Sequence, residues 1–301
     1  MATDETASTR EEYDVVVVGG GPAGCSAAVF AARYGFDTVV FDRGRSSIRR
    51  CGYLENYLGF PGGIDIDAFY SLMHDHVDAA GGTVVAELVE SVARDEDEGD
   101  FTVETQDGTV VRTPRVVAAT KYDADYLAGL DEEMLGPDGH GGTELDPSYP
   151  DAEGATPVEG LYVAGPLSGV DDQAIVAAGH GARVGGRLVA DARRDDGYWD
   201  AVATYYDWVR RDASLTDEWR GRDPWRDHFD AHLSPDGDEY DPAHVERVRE
   251  AYIDERMAKY ATEAEIARRT EAGTDRLVAS LGADRLLDAI DDDRIRAYLD
   301  D

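Results

Sequence analysis

The sequence predicts an α/β fold: a parallel sheet followed by a helical C-terminal extension. Three observations carry this reading. Residues 15–18 are four consecutive valines, the fully apolar run of a strand buried in a parallel sheet, and Gly19, Gly21 and Gly24 follow at the G-x-G-x-x-G spacing. A small-residue helix then ends at Gly35, and a second strand over 38–41 closes on Asp42, 18 residues beyond Gly24. Two further apolar segments, 115–120 and 160–165, return later to the same sheet, and the second leads into a helix over 173–192.

Each part of the first unit has a physical task. The first glycine makes the tight turn, the second lets backbone approach a pyrophosphate, and the third lets helix pack on strand. Free N–H groups and the positive end of the helix dipole favour the pyrophosphate, and an acid near the ~20-residue offset suits ribose hydroxyls. Glycine spacing alone is a weak signal. Strand, helix, second strand and acid in that order define a dinucleotide site.

The 301 residues suffice for one large domain or two modest ones. Net charge is -35, and the only lysines, Lys121 and Lys259, stand against 27 arginines. Acids spread over the whole chain resemble proteins of salt-loving cytoplasms, where a hydrated carboxylate surface is screened by salt. That charge disfavours nucleic acid and anionic membranes as partners. Cys25 and Cys51 form no C-x-x-C, so cysteine count predicts neither a disulfide framework nor a metal site. The acidic first residues do not read as a secretion signal, and no apolar run nears the ~18 residues of a membrane span, so the expected location is cytoplasmic.

Along the chain, residues 1–12 read as a disordered leader. An arginine-rich loop carries Arg43, Arg45, Arg49 and Arg50, which either neutralise a phosphate or balance nearby acids. A helix is expected over 68–80, one strand over 83–93, and a hairpin turning at Asp107-Gly108. Residues 121–158, rich in Gly, Pro and Asp, read as a long surface connection. The glycines at 179, 181, 185 and 186 predict close packing of the late helix. From 195 on, charged and aromatic helices follow, with two or three amphipathic helices expected after 241.

At this point the chain resembles the thioredoxin-reductase-like branch of the FAD-dependent pyridine nucleotide–disulfide oxidoreductases. The residues that carry the resemblance are D-V-V-V-V-G-G-G-P-A-G at 14–24, E-N-Y-L-G-F-P-G-G-I at 55–64, M-H-D-H at 73–76, V-V-A-A-T at 116–120 and G-L-Y-V-A-G-P…D-Q-A-I-V-A-A-G at 160–179. The resemblance implies a single FAD-binding, Rossmann-like, three-layer ββα domain over 13–194, with 195–301 as the helical extension. It implies that Gly19, Gly21, Pro22, Ala23 and Gly24 hold the pyrophosphate. Asp42 and Arg43 would lie by the adenosine ribose, and Ser47 and Asn56 on the flavin side. Gly165 and Pro166 would pass the ribityl chain, and Gln173 and Ala174 would offer N–H groups to the flavin's N1/O2 edge, where a helix start stabilises reduced flavin.

Departures from the family pattern shape the functional expectation. Family members insert a second nucleotide-binding domain with a C-x-x-C after the A-T-G segment, whereas 121–158 fills that gap here, too short for a βαβ domain. The expected protein is therefore an FAD-dependent oxidoreductase without its own NAD(P)H domain or redox disulfide, served by free nicotinamide or a ferredoxin-like protein. A non-catalytic FAD- or nucleotide-binding partner protein is the alternative, and an NAD-binding reductase of another Rossmann type a third. Lys121 stands where the family has glycine, and Pro166 where it has aspartate. Lys121 either holds a flavin oxygen or phosphate, or reaches solvent.

Cys51 is the other catalytic candidate, a loop thiol near the flavin, against an inert surface cysteine. Cys25 reads as packing. His228 and His232, four apart on a helix, lack a third metal ligand, and no metal is expected. His180 reads as either a core or a cofactor-edge residue. The aromatic residues 198–229 either pack the extension onto the FAD domain or onto a second subunit of a homodimer, or cap the flavin.

Overall fold

The computed structural model describes residues 12–95, 99–138, 143–235, 237 and 240–300. It divides into two units, residues 1–197 with 203–205, and residues 198–202 with 206–301.

In the first unit, β1 (Val15–Val18) leads into α1 (Pro22–Tyr34), which ends at Gly35 in the left-handed conformation. Then come β2 (Thr38–Phe41), α2 (Ile66–Ala80), β3 (Thr83–Val85), β4 (Val89–Arg94), β5 (Phe101–Thr105), β6 (Val110–Thr113) and β7 (Val116–Ala118). The hairpin β8 (Leu135–Pro137) and β9 (Thr143–Leu145), strand β10 (Leu161–Val163) and helix α3 (Ala174–Asp195) complete it. The sheet order is β10-β7-β1-β2-β3, all parallel, with Val15 opposite Thr38 and Val16 opposite Val116. The chain leaves β1 for β2 on one side and returns through β7 on the other. The carboxyl ends of β1 and β7 therefore diverge at a switch point, where open α/β sheets bind ligands.

Alternation along β1 builds the three layers. Val15 and Val17 pack with Ala23, Ala27 and Ala28 of α1 and with Val184 and Leu188 of α3. Val16 and Val18 face the other way, onto Val92 of β4, Val103 of β5 and Val111 of β6, which form a separate antiparallel sheet. A strand buried on both faces must be apolar at every position, hence four valines. Helix α2 starts at Asp65, whose side chain accepts from the Ala68 N–H, and places Phe69 and Tyr70 against Ile48, Leu54 and Ile64 of the preceding loop.

Several expectations change. The single strand over 83–93 is two strands in different sheets, with residues 86–88 crossing between them. The 121–158 segment is no mere surface connection: Tyr126, Leu127, Met134 and Leu145 are buried in the core between the two sheets, beside the β8–β9 hairpin. Its turn-rich composition hides these apolar anchors because they follow no helical or strand period. Of the four glycines on α3, only Gly181 and Gly185 meet α1, while Gly179 and Gly186 face open space. The expected leader lies outside the described residues except for Glu12, which bridges to Arg112.

The second unit contains most of α4 (Asp200–Ala203), then β11 (Arg210–Arg211), α5 (Asp223–His232), α6 (Pro242–Ala258), β12 (Tyr260–Ala261), α7 (Glu263–Leu281), α8 (Ala283–Asp288) and α9 (Asp292–Leu299). Four helices follow residue 241 among the described residues, one more than the upper expectation. Trp199, Val202, Phe229, Val248, Tyr252 and Ile253 form its own core. Part of the aromatic run packs within this unit: Trp199 and Phe229 lie in its core, Trp199 Nε1 donates to the Leu233 carbonyl at 2.6 Å, and Trp225 Nε1 to the Trp219 carbonyl at 2.9 Å, whereas Tyr205 packs on Tyr34 of the first unit. The rings of His228 and His232 lie 4.9 Å apart, and among the described residues no three His, Cys, Asp or Glu side chains converge as a metal-binding group.

Glu250 of α6 gathers three arginines: Arg222 at 2.7 Å, Arg226 at 2.8 Å and Arg249 at 3.3 Å. Hydrogen bonds from Arg226, then Arg222, hold its carboxyl down to about 2 against an ordinary 4.5. A depressed carboxyl stabilises the fold above its unfolded value, and that contribution fades as pH falls from 4.5 toward about 2. Glu250→Gln is expected to lower the second unit's stability at neutral pH and to converge with the parent in acid. Tryptophan fluorescence during denaturant unfolding reads this directly, because all four tryptophans lie in this unit. An unchanged gap between parent and variant at acid and neutral pH would refute the assignment.

Candidate functional site

The glycine loop is fixed by what a side chain would strike. Gly19 has φ +112°, and a Cβ there would lie 2.7 Å from the Ala119 carbonyl oxygen; at Gly24 it would lie 1.9 Å from the Gly19 carbonyl oxygen. The loop, the start of α1 and the end of β7 are therefore locked together by backbone contact.

Above this loop, at the carboxyl ends of β1, β2 and β7, lies a cavity of about 730 Å³, within the ~300–1,000 Å³ of ligand sites. Of the sequence-predicted residues, Gly19, Gly21, Pro22, Ala23, Asp42, Arg43, Ser47, Cys51 and Asn56 line it, together with Lys121, Pro166, Gln173 and Ala174. Gly24 and Gly165 do not line the wall. They lie beneath it, Gly24 between α1 and β1, and Gly165 against Ala23.

Two helix starts open into this cavity. α1 begins after Gly21 and α3 after Gln173, and no side chain caps either one. The Gln173 amide is otherwise engaged, its Oε1 accepting from Asn56 Nδ2 at 2.8 Å. Uncapped first-turn N–H groups need acceptors, and the positive dipole ends favour anionic ones. The glycine loop and the α3 start thus each present N–H groups to anionic acceptors within the same cavity.

Asp42 is buried and held from several sides. Its Oδ1 accepts from the Gly44 N–H at 3.1 Å, the Tyr70 hydroxyl donates to Oδ2, and His74 Nε2 lies 3.5 Å from Oδ2 and 3.1 Å from the Gly20 carbonyl oxygen. Burial, reinforced by Asp42, pushes the Tyr70 phenol well above its ordinary value, so it stays a donor. The acid at the end of β2 is thereby oriented by α2. Periodicity could not reveal this, because Tyr70 and His74 sit on another element.

Lys121 does not simply reach solvent. Its Nζ pairs with Asp172 Oδ2 at 2.7 Å and lies 4.8 Å from the Tyr122 ring centroid. Arg50 Nη2 donates to the Tyr122 hydroxyl at 3.1 Å, and Arg43 pairs with Asp123 at 3.7 Å. Lys121, then Arg50, lowers the Tyr122 phenol, partly opposed by burial. Residues 121–123 therefore link the β2 loop to the segment before α3. Sequence reading missed Tyr122, Asp172 and the further wall residues Glu87, Leu88 and Tyr126.

The two cysteines differ. Cys25 is buried, its thiol donates to the Gly20 carbonyl at 3.3 Å, and burial, chiefly, pushes it up to about 12. Cys51 is exposed at the cavity wall, and both thiols are free.

This arrangement defines the first unit as a nucleotide-binding Rossmann-like fold. Residues 13–127 match the family of the pyridine nucleotide-disulphide oxidoreductases. Thioredoxin reductase of Aquifex aeolicus is 31% identical over 140 residues, 45% of this chain and 42% of that protein. Thioredoxin reductase of Listeria monocytogenes is 26% identical over 131 residues, 43% of this chain and 40% of that protein. The chain thus spans about two fifths of the length of these relatives. A solved thioredoxin reductase from Gloeobacter violaceus superposes with a TM-score of 0.55 at 17% identity, covering 67% of this chain and 100% of that one, and shares the fold. The nucleotide-binding part of the chain is thus similar to the pyridine nucleotide-disulphide oxidoreductases and to these thioredoxin reductases, a family whose cofactor is FAD.

No helix among the described residues is long and apolar enough to cross a membrane.

Proposed function

We propose that the protein is an FAD-dependent oxidoreductase whose cofactor lies along the 730 Å³ cavity. One observation carries the reading: two uncapped helix N-termini, at Gly21 and Gln173, open into the same cavity. FAD, when bound, supplies one- or two-electron redox chemistry. The protein's part is to hold and bias it. Backbone N–H groups at Gly20, Gly21 and Ala23 take the pyrophosphate, with Gly19 and Pro22 shaping the turn and Gly24 and Gly165 supporting the wall from beneath. Asp42, oriented by Tyr70, and Arg43 take the adenosine ribose. Ser47, Asn56 and Pro166 line the path toward the flavin, and the Gln173–Ala174 start of α3 favours negative charge at its N1/O2 edge. Lys121, anchored by Asp172, adds a cation beside that end.

The domains on this reading are 13–194 for FAD and 195–301 as the extension, with 121–158 where relatives carry an NAD(P)H domain. Electrons come from free nicotinamide or a ferredoxin-like protein, in the cytoplasm, and a homodimer is compatible with the fold. The alternative, a non-catalytic FAD- or nucleotide-binding partner, is favoured by Pro166, which has no N–H to offer at the cavity wall.

Purified protein in high salt is expected to be yellow and to release FAD on denaturation. Anaerobic mixing with NADH, NADPH and reduced ferredoxin then identifies the donor. Colourless protein that takes up no added FAD sinks the reading, and bound flavin that no donor reduces favours the partner protein.

A further inference from the structure

We propose that His180 is a positioning residue: its neutral imidazole holds the Gly165–Pro166 corner of the cavity, so cofactor retention weakens when the ring is protonated. This rests on the FAD reading above and extends it to a residue that does not touch the cavity.

The corner is where β10 gives way to the short turn Gly165–Ser168. Gly165 has φ +77°, and a Cβ there would come within 2.6 Å of Ala23 Cβ at the start of α1. The corner therefore fits directly against the pyrophosphate end, and Pro166 forms part of the cavity wall. The Gly165 N–H donates to His180 Nδ1 at 3.0 Å, in a buried position. The Ser168 hydroxyl donates to the Gly165 carbonyl at 2.8 Å and lies 3.4 Å from the same ring nitrogen. The ring also makes a hydrogen bond with the Ala152 backbone. One imidazole thus joins α3, the turn at 151–154 and the cavity corner.

Only a neutral ring does this. Nδ1 accepts, so the network assigns the proton to Nε2. A second proton on Nδ1 turns the acceptor into a donor and sets two N–H groups against each other. The charged groups that bear on the ring are Arg183 on its own helix and Asp151 in the turn. α1 presents Ala23, and the corner presents Gly165 and Ser168, all uncharged. Burial, chiefly, with Arg183 lowers the ring's basicity against the opposing Ala152 backbone hydrogen bond and Asp151. A depressed histidine is neutral in both folded and unfolded chains above the ordinary value, and its contribution is lost as pH falls below it.

Two measurements test this. ¹⁵N NMR on cofactor-free protein labelled at histidine and glycine is expected to give an unprotonated Nδ1 at neutral pH, with the Gly165 amide shifting at the same midpoint, below about 6.5. FAD titrations from about pH 8 to about pH 5 are expected to show affinity falling roughly tenfold on the acid side for the parent. His180→Asn, which keeps an acceptor at the δ position, should be flat across that range. His180→Ala should be about tenfold weaker throughout. Equal acid loss in the parent and in His180→Asn, or a protonated Nδ1 at neutral pH, overturns the proposal. Protein that binds no FAD at any pH overturns the cofactor reading and this proposal together. Protein that holds FAD equally across the range overturns this one alone.

Discussion

Gly21→Val is expected to give folded protein with FAD affinity reduced at least about 100-fold, equivalent to about 2.7 kcal/mol. The two effects separate because of where the new side chain goes. Gly21 has φ −84°, a conformation open to any residue, and its Cβ would meet only the rotatable Ser46 hydroxyl, at 2.9 Å. The fold therefore has little to lose. The branched side chain would instead stand over the first turn of α1, where backbone must approach the pyrophosphate. Isothermal titration with FAD, paired with a thermal melt, checks both halves. Undiminished affinity in a folded variant would remove the pyrophosphate from the glycine loop.

Gly181→Ala is expected to be among the more damaging single-methyl changes in the first unit, costing about 3 kcal/mol and lowering its melting temperature by roughly 10 °C. A Cβ at 181 would lie 2.0 Å from the Ala23 carbonyl oxygen and under 3 Å from the Ala23 Cα. These are backbone atoms, so α1 and α3 must part. Gly179→Ala, two residues away with nothing within 4 Å, is expected to stabilise α3 by about 0.5–1 kcal/mol, since alanine costs a helix less than glycine. Opposite signs from the same substitution on one helix isolate close packing from propensity. If both variants melt alike, the α1–α3 contact does not limit stability.

Much of this was legible in the chain. The valine run, the glycine spacing and Asp42 act through neighbours in sequence, so β1, α1 and β2 fall where the pattern puts them. Eleven positions carried over from the resemblance, with Lys121 and Cys51, border one cavity. The partners were not legible. Tyr70 reaches Asp42 from 28 residues away, and Arg50 meets Tyr122 across 72. No periodicity encodes such meetings. The 83–93 segment misled because its apolar content suits either sheet, and only the middle residues' crossing divides it.

The sequence by itself determined the order of elements, the turn that faces a pyrophosphate and the apolar faces that stack three layers, because backbone conformation and side-chain alternation are local properties. Tertiary structure alone decided which glycines bear on α1, that Lys121 is anchored by Asp172, that His180 grips Gly165, and that two distant helix starts share one cavity. Those outcomes depend on distances between segments far apart in the chain, which packing sets only once the sheet has assembled.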